Sequence, residues 1–364
     1  MPDKIRVGIV GANINYGWGT RAHLPALKGL PEYEVVAVCT SHEETARETA
    51  RRFGIPLAFH DVESMAGHKD VDLIDVCIRV PYHHQVVMTA LEAGKHVFCE
   101  WPLGANLTQA VEMRDLAKAR KVSNAVGVQA RGSPMFNYVK DLVTQGYIGQ
   151  VGSCVMVGSL PGSTQRTAAS AWIADPTKGA NTLTIQGGHS IDALCYCLGD
   201  FREVSSVVAT QTKEAVIAET REKLKINSPD HVLVSGVLKS GALASVFIGS
   251  VPYHGTGFSF QIHGTDGSLV VTGTSSAQIG DLTLHGGRAS DKSMEEMPIP
   301  AKYQWVSSAV PAGPPFNVGQ LLKKQADSIR SKSPLANDFD QAVRLHTLLD
   351  AIQRASATGQ RQTL

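Results

Sequence analysis

Three polar residues stand at points of this chain where a side chain is held in place and could act on a small molecule. Glu100 closes the run His96-Val97-Phe98-Cys99-Glu100-Trp101-Pro102-Leu103, a short apolar strand stopped by a carboxylate, an aromatic and a proline. Pro102 has a fixed φ and no N–H, and it biases Trp101 toward an extended backbone, so the chain leaves the sheet with Glu100 and Trp101 in defined positions. On the carboxyl edge of a parallel sheet, such a strand end is where α/β proteins bind ligands. The plainer reading is a strand ending at a proline with a core Trp beside it. His189, in Gly187-Gly188-His189, is predicted at the open end of a helix that buries Ile191, Leu194 and Leu198. There it could accept a proton from a sugar hydroxyl, or it could simply cap the helix. Arg131, just past the last strand of the first half, is either a charge at the edge of a crevice or an ordinary surface ion-pair partner.

The elements that must position Glu100 alternate strand and helix. Ile5 to Gly11 reads as a buried strand and Thr20 to Leu30 as the helix after it, with Gly11-Ala12-Asn13-Ile14-Asn15-Tyr16-Gly17-Trp18-Gly19 between them. That turn occupies the place of the dinucleotide fingerprint, where glycines let the backbone approach a pyrophosphate and a helix N-terminus supplies N–H donors. The copy is imperfect, because Asn13 stands where a second glycine is expected and Gly17 comes late. Gly11, Asn13, Gly17 and Trp18 are therefore candidate cofactor contacts, against the alternative of a long strand-to-helix loop. Glu34 to Thr40 is a second strand, and Ser41-His42-Glu43-Glu44 offers a capping box for a helix through Phe53. Readers of NAD usually carry Asp or Glu at the end of that strand, whereas Thr40, Ser41 and His42 stand here. The site should tolerate a 2′-phosphate, a slight preference for NADP over NAD, with Ser41 and His42 as contacts. Leu73 to Ile78 is another apolar strand, followed by Arg79-Val80-Pro81-Tyr82-His83-His84, in which Arg79 and His84 are candidate contacts, and a helix ending at Gly94. A helix from Leu107 to Arg120, a strand from Asn124 to Gln129 and a helix from Ser133 to Gln145 complete a doubly wound parallel sheet.

The 364 residues are enough for two domains with their own cores, and 43% hydrophobic content is ordinary for a soluble protein. A net charge of +1 with interspersed acids and bases gives no footprint for nucleic acid and no polybasic membrane patch. The N-terminus runs directly into a strand, and no apolar run reaches the length of a membrane span, which predicts a cytoplasmic protein. The six cysteines lie in apolar segments without C-x-x-C spacing, as expected of reduced core thiols and not of a metal site.

After Gly149 the pattern changes. Val151 to Leu160, Val204 to Gln211, His231 to Leu238, Ala242 to Ser250, Phe258 to His263 and Ser268 to Gly273 alternate or run apolar, with Lys239-Ser240-Gly241 and Thr265-Asp266-Gly267 as hairpin turns. This predicts a large, mostly antiparallel open sheet whose uncovered face would be buried against another subunit, in a homodimer or tetramer. Helices are expected over Gln186 to Leu198, Val318 to Ser331 and Phe339 to Ser356, and Lys213 to Pro229 reads as a charged loop. The expected fold is α/β: a Rossmann doubly wound domain over residues 1–130, then an α+β substrate and oligomerisation domain over 131–364 whose last helices could pack back on the first domain.

The combination of a Rossmann half, Ala93-Gly94-Lys95-His96-Val97-Phe98-Cys99-Glu100-x-Pro102, the linker Gly146-Tyr147-Ile148-Gly149, the helix motif Gly187-x-His189-x-x-Asp192 and the segment Ile262-His263-Gly264-Thr265-Asp266-Gly267 resembles the glucose–fructose oxidoreductase, inositol dehydrogenase and rhizopine-catabolism (Gfo/Idh/MocA) family. Within it the chain looks most like the branch containing the yeast galactose-regulon repressor. That likeness is carried by the Gly-x-Asn turn with Gly17-Trp18, by Glu100-Trp101, by Gln129-x-Arg131-x-Ser133-Pro134 and by Pro229-Asp230-His231.

The resemblance implies NAD or NADP as cofactor, with Glu100, Trp101 and Gln129 at its site and His189 as proton acceptor. The family's enzymes usually have Lys between the Glu and the Pro, and Asp four residues before the His; Trp101 and Ile185 stand there instead. A positioned acid or base contributes roughly 10²- to 10⁴-fold in rate, so Arg131, Tyr253 or His254 would have to supply what the Lys does. Two functions are thereby implied. One is an NAD(P)-dependent oxidoreductase acting on a sugar, polyol or related cyclic substrate, with a redox-neutral variant in which hydride leaves and returns. The other is a non-catalytic, nucleotide-binding sensor or transcriptional regulator, which would reach DNA only through a protein partner.

Overall fold

The computed structural model describes residues 4–14 and 17–364, so Asn15 and Tyr16 of the glycine-rich turn lie outside the described residues. The chain divides into two compact units, one built from residues 1–132 and 304–344 and the other from 133–303 and 345–364.

Among the described residues of the first unit, six parallel strands form one sheet: β1 (Ile5–Val10), β2 (Tyr33–Cys39), β3 (Leu57–Phe59), β4 (Leu73–Val76), β5 (His96–Glu100) and β6 (Asn124–Gly127). Their order is β3-β2-β1-β4-β5-β6, the doubly wound order in which the chain reverses direction between β1 and β4. Helices α1 (Leu24–Gly29), α2 (Glu43–Phe53), α3 (Val62–Ala66), α4 (His83–Glu92) and α5 (Leu107–Arg120) connect the strands. Helices on both faces explain why the strands read as continuous apolar runs rather than alternating ones. Register then fixes the site. Val10 pairs with Val76, Val76 with Cys99, and Glu100 with Gly127, so the carboxyl ends of β1, β4, β5 and β6 finish along one edge.

The C-terminal segment closes one face of this sheet. Beyond α6 (Pro134–Thr144) and α7 (Gly188–Leu198), helix α8 (Pro314–Ser331) lays Val318, Leu321, Leu322 and Ala326 on Ile5, Val7, Leu73 and Phe98. Polar side chains lock it: Tyr33 donates to the Leu322 carbonyl at 2.8 Å and Gln325 to the Val97 carbonyl at 2.9 Å. Asn337 brackets β6, donating to the Val126 carbonyl while its own carbonyl accepts from the Val126 N–H. The first unit thus takes its last layer from nearly 200 residues further along the chain, a long-range closure that local pattern cannot reveal.

The second unit is built on a sheet of nine strands among its described residues. They are β7 (Val151–Pro161), β9 (Phe201–Ala209), β12 (His231–Leu238), β13 (Leu243–Val251), β14 (Gly257–Gly264), β15 (Gly267–Gly273), β16 (Leu282–Arg288), β17 (Glu295–Glu296) and β18 (Gln362–Thr363), in the order β17-β16-β15-β14-β7-β13-β12-β9-β18. All pairings are antiparallel except β7 with β13. Register aligns Val207, Leu233, Phe247 and Val157 across one face, and Leu243 lies four residues before Phe247 on that same side. Val207, Leu233 and Leu243 are exposed by 56%, 49% and 60%, an open apolar stripe.

Three local expectations are corrected. The segment Lys213 to Pro229 is not a loop: β10 (Glu214–Ile217) and β11 (Lys223–Lys225) pair as a hairpin beside β8 (Gln165–Arg166). Its charged residues face solvent while Ala215 and Ile226 pack on Ala174, so a two-residue alternation lies beneath the charge. The capping box at Ser41 does not form; His42 is the N-cap of α2, without a side-chain cap bond, and Thr45 donates back to the His42 carbonyl. His189 is not at the open end of its helix. A π-helical turn over Leu183–Gly187 precedes α7, and Asn181 accepts the Leu183 and Thr184 N–H groups in front of it.

Candidate active site

The site in the first unit is assembled on the sheet face that carries Ile9, Asp75, Phe98 and Glu100. Asp75 is the third residue of β4, fully buried in an otherwise apolar layer. A lone carboxylate there would cost several kcal/mol of lost hydration, so a partner is required. That partner is His23. It ends a π-helical turn, Gly19–His23, which opens the helix after the glycine-rich turn, and its ring is completely buried and stands T-shaped to the Phe98 ring, with centroids 5.5 Å apart. Nδ1 lies 2.9 and 3.0 Å from the two oxygens of Asp75, and Nε2 lies 2.8 Å from Oε1 of Glu100. An ionised carboxylate can only accept, so with both partners in that form both ring nitrogens donate and the ring is an imidazolium. The His23 pKa is accordingly raised well above its ordinary value: burial opposes the charge, and the Asp75 carboxylate outweighs it.

Glu100 is held from a second side by Gln129, whose Nε2 lies 2.9 and 2.8 Å from its two oxygens. Because only the amide nitrogen can donate, the orientation of Gln129 is forced, and its Oε1 is left buried without a partner among the described residues. Gly127 makes room for this arrangement: a Cβ there would lie 2.4 Å from Oε1 of Glu100. Cys77 completes the cluster, with Sγ 3.6 Å from Asp75 and a thiol pushed up by burial. Donor atoms of His23, Asp75 and Cys77 lie within 4.8 Å of one another, close enough for one cation to bridge them. They already satisfy one another by hydrogen bonds, which fits a buried ion pair better than a metal centre.

The turn in front of His23 fits a dinucleotide. Gly11 has φ +96° and its absent Cβ would meet the Cys77 carbonyl at 2.4 Å, so only glycine serves there. Gly17 is likewise left-handed at φ +118°. Thr20 donates to the Asn13 carbonyl at 2.6 Å, and the indole Nε1 of Trp18 is buried without a partner among the described residues. Two orphaned polar atoms, one donor and one acceptor, together with a strained glycine turn at the switch-point edge are what a bound dinucleotide would complete.

The other expected residues fall in varied places. Ser41 and His42 are exposed at the start of α2, and Arg79 is exposed before the turn that leads into α4. His84 is turned toward Glu112 of α5, 2.6 Å away, while its neighbour His83 does the bracing. The two ring nitrogens of His83 face the carbonyls of Pro102 and Ile78 at 2.8 and 3.0 Å, which ties the end of β5 to the exit from β4. Burial pushes His83 below its usual range despite those carbonyls. Trp101 is buried, and the Trp101–Pro102 peptide is cis. Arg131 is buried too and donates to the Ala336 carbonyl at 2.8 Å, bracing the C-terminal segment of the same unit.

In the second unit His189 is 5% exposed and Asp192, one turn on, is fully buried. Tyr253 is 71% exposed in the turn after β13, next to His254, whose φ is +50°. Sequence reasoning passed over His23, Asp75, Gly127 and His83. The available signal was Asp75 inside an apolar strand, which demands a buried partner, although nothing nearby in sequence says that it is His23.

The comparisons agree with this geometry. Residues 5–128 match the model of the oxidoreductase family with an NAD-binding Rossmann fold, and residues 134–273 match the model of the Gal80p C-terminal domain. The chain is 30% identical over 99% of its length, and 98% of the relative's, to dehydrogenase aclE of Aspergillus oryzae. It belongs to the Gfo/Idh/MocA family. A second relative is the galactose/lactose metabolism regulatory protein GAL80 of Saccharomyces cerevisiae, 31% identical over 79% of this chain and 72% of that protein. A crystal structure of a super-repressor mutant of that Gal80p superposes with a TM-score of 0.88 at 26% identity, covering 99% of this chain and 98% of the other. The Gfo/Idh/MocA family therefore supplies this chain with relatives named as dehydrogenases and relatives named as regulators. No described helix is long and apolar enough to cross a membrane.

Proposed function

We propose that the protein is an NAD(P)-dependent oxidoreductase that acts on a sugar, polyol or related cyclic alcohol. The observation that carries this reading is the Glu100–Gln129 pair at the switch-point edge, with a Gln129 Oε1 that has no partner among the described residues. A bound nicotinamide supplies the hydride acceptor. Glu100 and Gln129 bind and orient the nicotinamide end, and Gly11, Asn13, Gly17 and Trp18 take the diphosphate. Buried His189 accepts the hydroxyl proton as the substrate carbon loses hydride and its C–O bond becomes a carbonyl. Trp101 stands where the family's enzymes place Lys, and Arg131, Tyr253 or His254 supplies what that Lys normally would. In the redox-neutral variant the hydride returns to the same substrate. Exposed Ser41 and His42, with no carboxylate at the end of β2, leave space for a 2′-phosphate, so NADP binds at least as well as NAD.

A second reading has its own support. Trp101 and Ile185 replace two groups that the chemistry ordinarily uses, and residues 134–273 match a regulator's domain. On that reading the protein binds the dinucleotide and a protein partner and turns nothing over. The deciding experiment mixes the protein with NAD or NADP and a panel of sugars and polyols, following reduced-nicotinamide absorbance and sugar products together. Reduction with one sugar class is the expected result. Product without net reduction selects the redox-neutral variant. Cofactor binding without turnover on any sugar rejects the enzyme in favour of the regulator.

The apolar stripe of Val207, Leu233 and Leu243 is the proposed homo-oligomer surface. Leu243→Lys is expected to lower the mass seen in sedimentation, and an unchanged mass rejects that surface.

A further inference from the structure

Among the described residues of the cofactor edge, His23 touches two other ionisable groups, and the proposed chemistry does not use it. Its ring sits between β4 and β5, clamped by Asp75 on Nδ1 and holding Glu100 on Nε2. The groups facing it are Asp75 and Cys77 from β4 and the residue after it, and Glu100 with the Phe98 ring from β5. Around Glu100 stand also Gln129, Cys99 and His83. Glu100 is mostly buried, with 13% of its side chain exposed, so its rotamer depends on the two donors that reach it. Removing the imidazole would take one of those two donors from Glu100 and leave Gln129 alone to orient it.

We propose that His23 is a positioning residue for the nicotinamide end of the cofactor, holding Glu100 in the orientation that Gln129 shares. The inference rests on the cofactor reading above and deepens it. A group that acts only through Glu100 should affect ligands that possess a nicotinamide and spare those that lack one. A residue that merely props up the helix after the glycine turn should affect both equally.

The test is the dissociation constant of NAD and of ADP-ribose, which lacks the nicotinamide, for the full chain and for His23→Gln. NAD is expected to weaken roughly 10- to 100-fold, the scale of a charge-assisted hydrogen bond, with ADP-ribose within about twofold. The double variant His23→Gln/Glu100→Gln should bind NAD no more weakly than Glu100→Gln alone. Equal weakening of NAD and ADP-ribose, or no weakening of either, overturns the inference. An unaltered chain that binds neither ligand overturns the cofactor reading and the inference with it. Binding of both with no split on substitution overturns the inference alone. Should His23→Gln fail to fold, Asp75→Asn removes the clamp while keeping the imidazole, and the same split between the two ligands is required of it.

Discussion

His23 in the first unit and His189 in the second are both buried, and both are delivered by a helix that begins with a π-helical turn. Such wide turns recur at functional positions because they shift the residues that follow around the helix axis. From there the two regions differ. His23 lies between two carboxylates that fix its charge and leave neither ring nitrogen for substrate. His189 lies near the start of α7, one turn before the buried carboxylate residue Asp192. The lesson is that burial alone does not decide a histidine's task; the second group on each ring nitrogen does.

The largest expected effect breaks the comparison on the His189 side. His189→Ala should lower turnover roughly 10²- to 10⁴-fold with cofactor affinity unchanged, measured as initial rates beside a binding titration. Unchanged turnover would remove His189 from the chemistry. On the His23 side, His23→Gln breaks a buried ion pair and should cost about 3–5 kcal/mol of unfolding free energy in urea titrations. The pH dependence gives that cost a signature. The folded state keeps a proton that the unfolded chain releases near pH 6.5, so the contribution is complete below that pH. It shrinks by about 1.4 kcal/mol per pH unit as pH rises toward the folded-state value. His23→Gln should lose that alkaline slope.

A third histidine sharpens the contrast by running the other way. Burial lowers His346 to about 4. The folded state there binds fewer protons than the unfolded chain, so its contribution is complete above about pH 6.5 and is lost as pH falls through 4, by roughly 1.4 kcal/mol per pH unit. His346→Leu should flatten the acid side of the stability curve and leave the alkaline side alone. The smallest effect is Gly127→Ala, whose Cβ would press on Glu100 at 2.4 Å. We expect about 1–3 kcal/mol of destabilisation and weaker NAD binding, with ADP-ribose unaffected.

The parallel sheet and the cofactor edge were legible because each rests on local signals. Apolar strand runs, glycine-rich turns and a proline after Glu100 each act within a few residues. The mostly antiparallel sheet was legible from alternation and two hairpin turns, which β12–β13 and β14–β15 carry. What escaped depends on contacts distant in sequence. His23 meets Asp75 across 52 residues and Glu100 across 77, and α8 reaches Val97 across 228. Arg131 donates to the Ala336 carbonyl, 205 residues away. His83 and His84 were interchangeable in the sequence, and only the turn before α4 decides which one faces inward. The π-helical turns had no signal, since their composition is that of any helix start.

Nitrogen NMR of the labelled histidine rings, titrated from pH 6 to about 9, tests most directly that His23 is a fixed cation between Asp75 and Glu100. The account predicts one ring, removed from the spectrum by His23→Gln, with protons on both nitrogens at about pH 8, where an ordinary histidine is neutral. A neutral His23 ring with a single protonated nitrogen near pH 7 would contradict it.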